Sequence, residues 1–306
     1  MATFSERLKT RVPNWQRFFE RVRADVRNPA YDLLPVLSLD QRNAFSKTLA
    51  AFSPKTPGFK LTEKQAVLHD QLRRDGLTAR QAPLPAHVLG DLLAYFKATP
   101  CHDPYRAHLG TFPWDAPVSI ETNIGYYTWE DVLRAPHMID LMNQPDILAV
   151  AESYIGCKPV IDNIGATWSY PGRETAKGVQ RFHRDFDCAR GFKAFYYLTD
   201  VDEESGPHTF VRGSHRDRRL ESGKAQTDHA IIDTFGADAI ARITAPAGTW
   251  FLEDVYGFHK GQLPTDRPRL LLAIEYNLYP SPLSPKQPLM AREPQYDPYI
   301  NKLFLK

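Results

Sequence analysis

After residue 158 the chain becomes a series of short apolar or alternating runs, Lys158–Tyr170, Phe192–Leu198, Thr209–Val211, Thr249–Glu253 and Leu270–Tyr279. Clusters of Gly, Pro, Asp and Ser separate them. Most of these runs have strand length, and the turn residues between them let the chain reverse direction. They predict an antiparallel sandwich or jelly roll, in which short strands bury their faces against one another. Proline, 25 of 306 residues, fits short elements joined by many turns.

The first half of the chain reads differently. Ser38-Leu39-Asp40-Gln41 and Thr62-Glu63-Lys64-Gln65 match the capping box, in which a hydroxyl and an amide satisfy each other's free backbone N–H groups. The helix opened by Thr62 is expected to bury Val67, Leu68 and Leu72 and to stop at Gly76. His87 to Lys97 predicts another helix, ended by Pro100. Thr128 to Ile155 predicts a helical stretch divided by Pro136 and Pro145 and ended by Gly156. Val118 to Thr122 alternates like a half-buried strand. The expected organisation is a helical region at 1–117 packed on the core, then a core at 118–280 with inserted helices at about 128–155, then a proline-rich tail at 281–306. The class is α+β with a mainly β core.

Composition removes several functions. With 42% hydrophobic and 24% charged residues the chain is globular rather than disordered. No apolar run approaches the roughly 18 residues of a membrane span, and the start lacks the apolar segment of a secretory signal. Three cysteines without a CxxC pair argue against a disulfide framework or zinc ribbon, so a cytoplasmic location is expected. A net charge of +2 is too mild to imply nucleic acid as a partner. The oligomeric state is left open. The basic arm at 1–28, including Arg7, Lys9, Arg11, Arg21 and Arg27, has acids interspersed and reads as a solvated helix face.

The chemistry concentrates in Gln180-Arg181-Phe182-His183-Arg184-Asp185. In extended chain, residues i and i+2 share a face, roughly 6.5 Å apart. His183 and Asp185 can therefore converge on one cation, supplying a neutral nitrogen and an anionic oxygen. Among ten histidines the best third ligand is His259, in GTWFLEDVYGFHKG, reached through a strand and a tight turn. Two imidazoles and one carboxylate leave three octahedral positions open, an arrangement suited to Fe(II) with a cosubstrate and O2. A structural zinc site would instead be closed. Ten residues after His259, Arg269 opens an apolar strand, and a buried guanidinium needs an anion. Its fork suits a carboxylate such as the distal one of 2-oxoglutarate. Arg267 is a second candidate for this role, although its turn position favours solvent.

FHRDFDCARGFKAFYYLTDVDEESGPHTFVRGSH followed by GTWFLEDVYGFHKGQLPTDRPRLLLAIEYN resembles the phytanoyl-CoA dioxygenase-like family of Fe(II)/2-oxoglutarate-dependent oxygenases, over roughly residues 160–280. The resemblance implies a double-stranded β-helix, or jelly roll, with helices packed against its larger sheet. It implies His183, Asp185 and His259 as iron ligands, Arg269 as the 2-oxoglutarate anchor, and Fe(II), 2-oxoglutarate and O2 as the reactants, with hydroxylation as the expected reaction. The chain departs from the family pattern at Gly261, where many members carry serine, and at Arg212 and Phe182, which stand in place of proline and tryptophan. Asp185 disfavours halogenation, because halogenating relatives have a small residue there. Two other classes compete. A jelly-roll isomerase or hydrolase with a non-redox metal would not need Arg269, and a binding module would need none of these residues.

The neighbours carry weaker expectations. His215 reads as a loop histidine, His208 as exposed in a Gly-Pro turn, and Cys188 as facing away from the metal. Trp168 and Tyr170 read as core, with pocket lining as the second reading. Gln180 has no assigned role. Lys193, unusual within FKAFYYL, either reaches into the barrel mouth to meet a cosubstrate or substrate anion or snorkels to solvent. Arg212, Arg216, Arg218 and Arg219 form either a solvated loop or a cationic rim favouring an anionic substrate.

Overall fold

The computed structural model describes Leu8 and residues 15–116, 119–220 and 224–306. Both capping boxes form as written. The Ser38 hydroxyl accepts from the Gln41 N–H while the Gln41 side chain accepts from the Ser38 N–H, and Thr62 and Gln65 repeat the pattern. They open the helices Leu39–Phe52 and Glu63–Asp75, and the second ends at Gly76 in the left-handed region, with φ of 76°. Its buried stripe is Gln65, Leu68 and Leu72, whereas Val67 is 52% exposed, contrary to expectation. Gln65 takes that place because its amide donates to Asp146 Oδ1 at 2.8 Å on a neighbouring helix. The remaining helices include Ala86–Ala98, Trp129–Arg134, Met138–Met142 and Pro145–Ile155, so the prolines at 136 and 145 divide the second stretch.

The expected strand at 118–122 is corrected. Val118 lies outside the described residues, and Ser119 to Thr122 form a turn closed by Thr122 N–H to Ser119 O at 3.0 Å. Its apparent alternation arises because Thr122 turns inward to Asp103 while Glu121 stays outside with Arg106. The strand lies just beyond, at Ile124–Tyr126.

The described strands, in chain order, are β1 (Cys101–His102), β2 (Thr111–Phe112), β3 (Ile124–Tyr126), β4 (Val160–Ser169), β5 (Gly191–Tyr197), β6 (His208–Val211), β7 (Ile240–Ile243), β8 (Trp250–Glu253), β9 (His259–Gly261) and β10 (Arg269–Asn277). They form two antiparallel sheets, a seven-stranded one ordered β2-β1-β3-β4-β10-β5-β8 and a three-stranded one ordered β7-β6-β9. The result is a jelly roll of the α+β class with helices on its larger sheet. Strand parity explains why β5 and β10 look almost continuously apolar. Phe192, Ala194 and Tyr196 of β5, with Leu270, Leu272, Ile274 and Tyr276 of β10, pack in one core with the helices. Phe195 and Tyr197 face the other way, into the barrel, with Leu271 and Ala273 packed beside them. Residues of that inward parity, Arg269, Glu275 and Lys193, are the ones available for chemistry.

The C-terminal tail holds neither helix nor strand, yet it is anchored. Ile300, Phe304 and Leu305 are buried in the helix-side core, and Asp162 of β4 accepts from the Ser281 N–H at 2.7 Å. Of the basic N-terminal arm, Arg7, Lys9 and Arg11 lie outside the described residues. Arg21 pairs with Asp32 at 2.8 Å and Arg27 with Asp25 at 2.6 Å.

Candidate metal centre

The segment carrying His183 and Asp185 runs extended against β9. His183 and His259 exchange both backbone hydrogen bonds, each at 3.0 Å, and Asp185 N–H donates to Val255 O at 2.9 Å. This pairing lays the two imidazoles side by side, with ring centroids 4.2 Å apart. Asp185 returns to the same face two residues after His183. His183 Nε2 lies 3.4 Å from Asp185 Oδ1, and His259 Nε2 lies 3.7 Å from Asp185 Oδ2. One donor atom from each residue fits within a 4.8 Å span.

The imidazoles are pre-oriented. His183 Nδ1 lies 2.8 Å from Arg181 O and His259 Nδ1 lies 3.0 Å from Gly257 O. A carbonyl only accepts, so each Nδ1 carries a proton and each Nε2 is turned to the shared point, where its lone pair could bind a metal. Burial, reinforced by the nearby His183, holds His259 well below the ordinary histidine range and so neutral. For Asp185, burial pushes upward, but the charge of Lys193 and the hydrogen bond it donates are the main effects that offset this and keep the carboxyl ionised.

Lys193 is committed to acids. Its Nζ lies 2.7 Å from Asp185 Oδ2, 3.4 Å from Glu275 Oε2 and 3.8 Å from Asp187 Oδ2. Arg184, between the two candidate ligands His183 and Asp185, turns away from the site. Its guanidinium donates to the carbonyls of Ser214 and Tyr256 at 2.8 and 2.7 Å, tying the neighbouring loops to the ligand segment.

Arg269 is 3% exposed and stands opposite Ser169 of β4. Its Nη1 donates to Gly206 O and its Nη2 to Ser169 Oγ at 3.3 Å, while Nε has no hydrogen-bond partner. No carboxylate among the described residues pairs with it, and burial lowers its pKa. Gly261 touches the same group: a Cβ there would sit 2.7 Å from Arg269 Nη2, so a serine would require the guanidinium to move. Arg267 instead points outward, paired with Asp202 and 55% exposed.

Triad and arginine line one cavity of about 460 Å3, shared with Thr167, Ser169, Gln180, Phe195 and Leu271. Trp168 and Tyr170 do not line it. They belong to the opposite face of β4, where Trp168 stacks on Trp114 at 4.4 Å and Tyr170 meets Cys101 Sγ at 3.4 Å. Asn163, Gly165, Thr167 and Ser169, of the other parity, face the cavity. His208, expected to be exposed, is buried on β6, with Nε2 2.8 Å from Glu253 Oε2 and its ring 5.7 Å from that of His259. Burial raises the Glu253 carboxyl and lowers His208, so the two form a neutral hydrogen-bonded pair behind the metal ligands. The four arginines do not rim this cavity. Arg218 pairs with Asp40, Arg219 pairs with Asp217 at 2.7 Å, and Arg212 and Arg216 line other hollows. His215 is buried, with Nε2 3.3 Å from Arg73 O, away from the triad.

No family model and no curated protein sequence matches the chain. Solved structures match in fold. SnoN, described as an epimerase in complex with Fe3+, alpha-ketoglutarate and nogalamycin RO, gives a TM-score of 0.52 at 21% identity, covering 78% of this chain and 98% of its own. HygX from Streptomyces hygroscopicus, with nickel, 2-oxoglutarate and hygromycin B bound, gives 0.50 at 14% identity, covering 80% of this chain and 96% of its own. At these identities the likeness is one of fold, the jelly roll seen in 2-oxoglutarate-dependent oxygenase structures. No helix among the described residues is long and apolar enough to cross a membrane.

Proposed function

We propose that the chain is an Fe(II)- and 2-oxoglutarate-dependent dioxygenase that hydroxylates a C–H bond of a small molecule. One observation carries the reading: two imidazole Nε2 atoms and one carboxylate converge within 4.8 Å in a cavity that also holds a buried arginine lacking an anion. That donor set fits a ferrous ion, with three positions left for cosubstrate and oxygen. A bound ferrous ion supplies the coupling of 2-oxoglutarate decarboxylation by O2 to insertion of one oxygen into the substrate C–H bond, releasing succinate and CO2. The protein holds and orients. His183, Asp185 and His259 are the iron ligands, the carbonyls of Arg181 and Gly257 fix their tautomers, and Arg269 takes the distal carboxylate of 2-oxoglutarate. SnoN and HygX, each solved with 2-oxoglutarate, support the cosubstrate.

A non-redox jelly-roll enzyme would have no use for Arg269 without a ligand carboxylate. Anaerobic addition of Fe(II) and 2-oxoglutarate should therefore give a weak visible charge-transfer band, and its absence would reject the reading.

Lys193 serves in this reading as a positioning residue. By gripping Asp185 Oδ2 it leaves Oδ1 on the side of His183 Nε2, and Glu275 and Asp187 hold its charge in place. Lys193→Met should weaken Fe(II) binding by about 10- to 100-fold, the usual cost of losing such a partner, with little change in the 2-oxoglutarate requirement. The opposite pattern in titrations of the two would make Lys193 a cosubstrate contact.

A further inference from the structure

Cationic side chains gather around a second cavity, of about 540 Å3, between the helices Leu39–Phe52, Glu63–Asp75 and Pro145–Ile155 and the chain that follows Cys188. Arg42, Lys47, Arg73, Arg190 and Arg216 line it, against one carboxylate, Asp254. That carboxylate already accepts from the Tyr154 hydroxyl and the Tyr256 N–H. None of the five cations forms an ion pair among the described residues.

Arg42 forms the buried wall and is 5% exposed. Its Nε and Nη2 donate to the carbonyls of Ala189 and Cys188 at 2.8 and 2.6 Å, and its guanidinium lies 3.7 Å over the Tyr256 ring. Its Nη1 is buried without a hydrogen-bond partner. A guanidinium fixed at two nitrogens holds a rigid positive charge in the cavity wall. Lys47, Arg73 and Arg216 are exposed around the opening. Five cations facing one occupied carboxylate repel one another until an anion enters, and arginine forks match phosphate oxygens best.

This cavity is distinct from the triad cavity, with which it shares no lining residue. A void of about 10 Å3 separates them, bounded by Arg42 and Tyr256 on one side and by Asp185 and Asp187 on the other. A gap of that size passes no ligand. The cavity itself has the volume of a metabolite site. We propose that it binds a phosphorylated small molecule, with phosphate oxygens on the rim formed by Lys47, Arg73 and Arg216 and with Arg42 as a fixed positive charge in the wall behind them.

Calorimetric titration of the full chain with inorganic pyrophosphate, at fixed ionic strength, tests the assignment. Saturable one-to-one binding is expected. Lys47→Ala, Arg73→Ala and Arg216→Ala should each weaken it about tenfold, the loss of roughly one charge-assisted hydrogen bond. These exposed side chains donate no hydrogen bond to the backbone, so the variants should fold, which circular dichroism checks. Arg269→Met should leave pyrophosphate binding unchanged. Absence of saturable binding, indifference to the rim variants, or loss of binding in Arg269→Met would overturn the proposal. Citrate bound as tightly as pyrophosphate would overturn the phosphate assignment.

Discussion

Asp185→Ala should abolish the charge-transfer band and reduce 2-oxoglutarate-dependent succinate release to background. Asp185 is the one anion among three donor residues, with its two oxygens 3.4 and 3.7 Å from the Nε2 atoms of His183 and His259. Without it, two imidazoles and no anion face a dication. The loss is compounded by Lys193, whose ammonium lies 2.7 Å from the missing carboxylate oxygen and would be left beside the metal position. Fe(II) affinity should therefore fall by more than the about 100-fold upper cost of an outer partner. The fold should survive, since Lys193 keeps Glu275 and Asp187 as counter-charges. Fe(II) titration of the variant checks this. Affinity within tenfold of the parent would remove Asp185 from the ligand set.

Arg269→Met should separate cosubstrate binding from folding. In the protein without ligand, the guanidinium is buried, holds a carbonyl and a hydroxyl, and lacks a counter-anion. Replacing such a charge with an apolar side chain of similar volume is often neutral or stabilising, so the melting temperature of the unliganded variant should not fall. Binding of 2-oxoglutarate should suffer instead. Truncating one partner of a buried charge pair costs about 2–5 kcal/mol, which is roughly 30- to several-thousandfold in affinity. The thermal stabilisation that 2-oxoglutarate gives the parent should vanish accordingly. Differential scanning with and without 2-oxoglutarate, together with succinate-release titrations, reads both effects. An unchanged requirement for 2-oxoglutarate would reject the role of Arg269.

Legibility in the sequence followed the range of the interaction. Capping boxes at Ser38 and Thr62, the Gly76 stop and the proline divisions at 136 and 145 are contacts within a few residues, and all can be read directly. The main strand runs are readable because both faces of β4, β5 and β10 are buried. By contrast, β7 and the helix Asp228–Phe235 escaped. Isoleucine ends the IARI run on either side, yet most of it is only partly buried, and Ile231 is the sole buried residue of that helix. The neutral His208–Glu253 pair escaped too, because its partners are 45 residues apart. A signal was present: Glu253 and Lys193 are single charged residues in apolar strands, and the register sets them opposite each other.

The sequence by itself determined the capped and proline-divided helices and five of the ten described strands, and put His183 and Asp185 on one face, since alternation and end-capping are properties of local backbone geometry. Tertiary structure decided the rest. His259 meets His183 only because β9 pairs with the ligand segment, and Lys193 reaches Asp185 only through the inward parity of β5. The four arginines for which a rim at the triad was the second reading stand elsewhere, Arg216 among them at the second cavity. Which charges become neighbours depends on strand register and loop path, and those are set by packing across the whole fold.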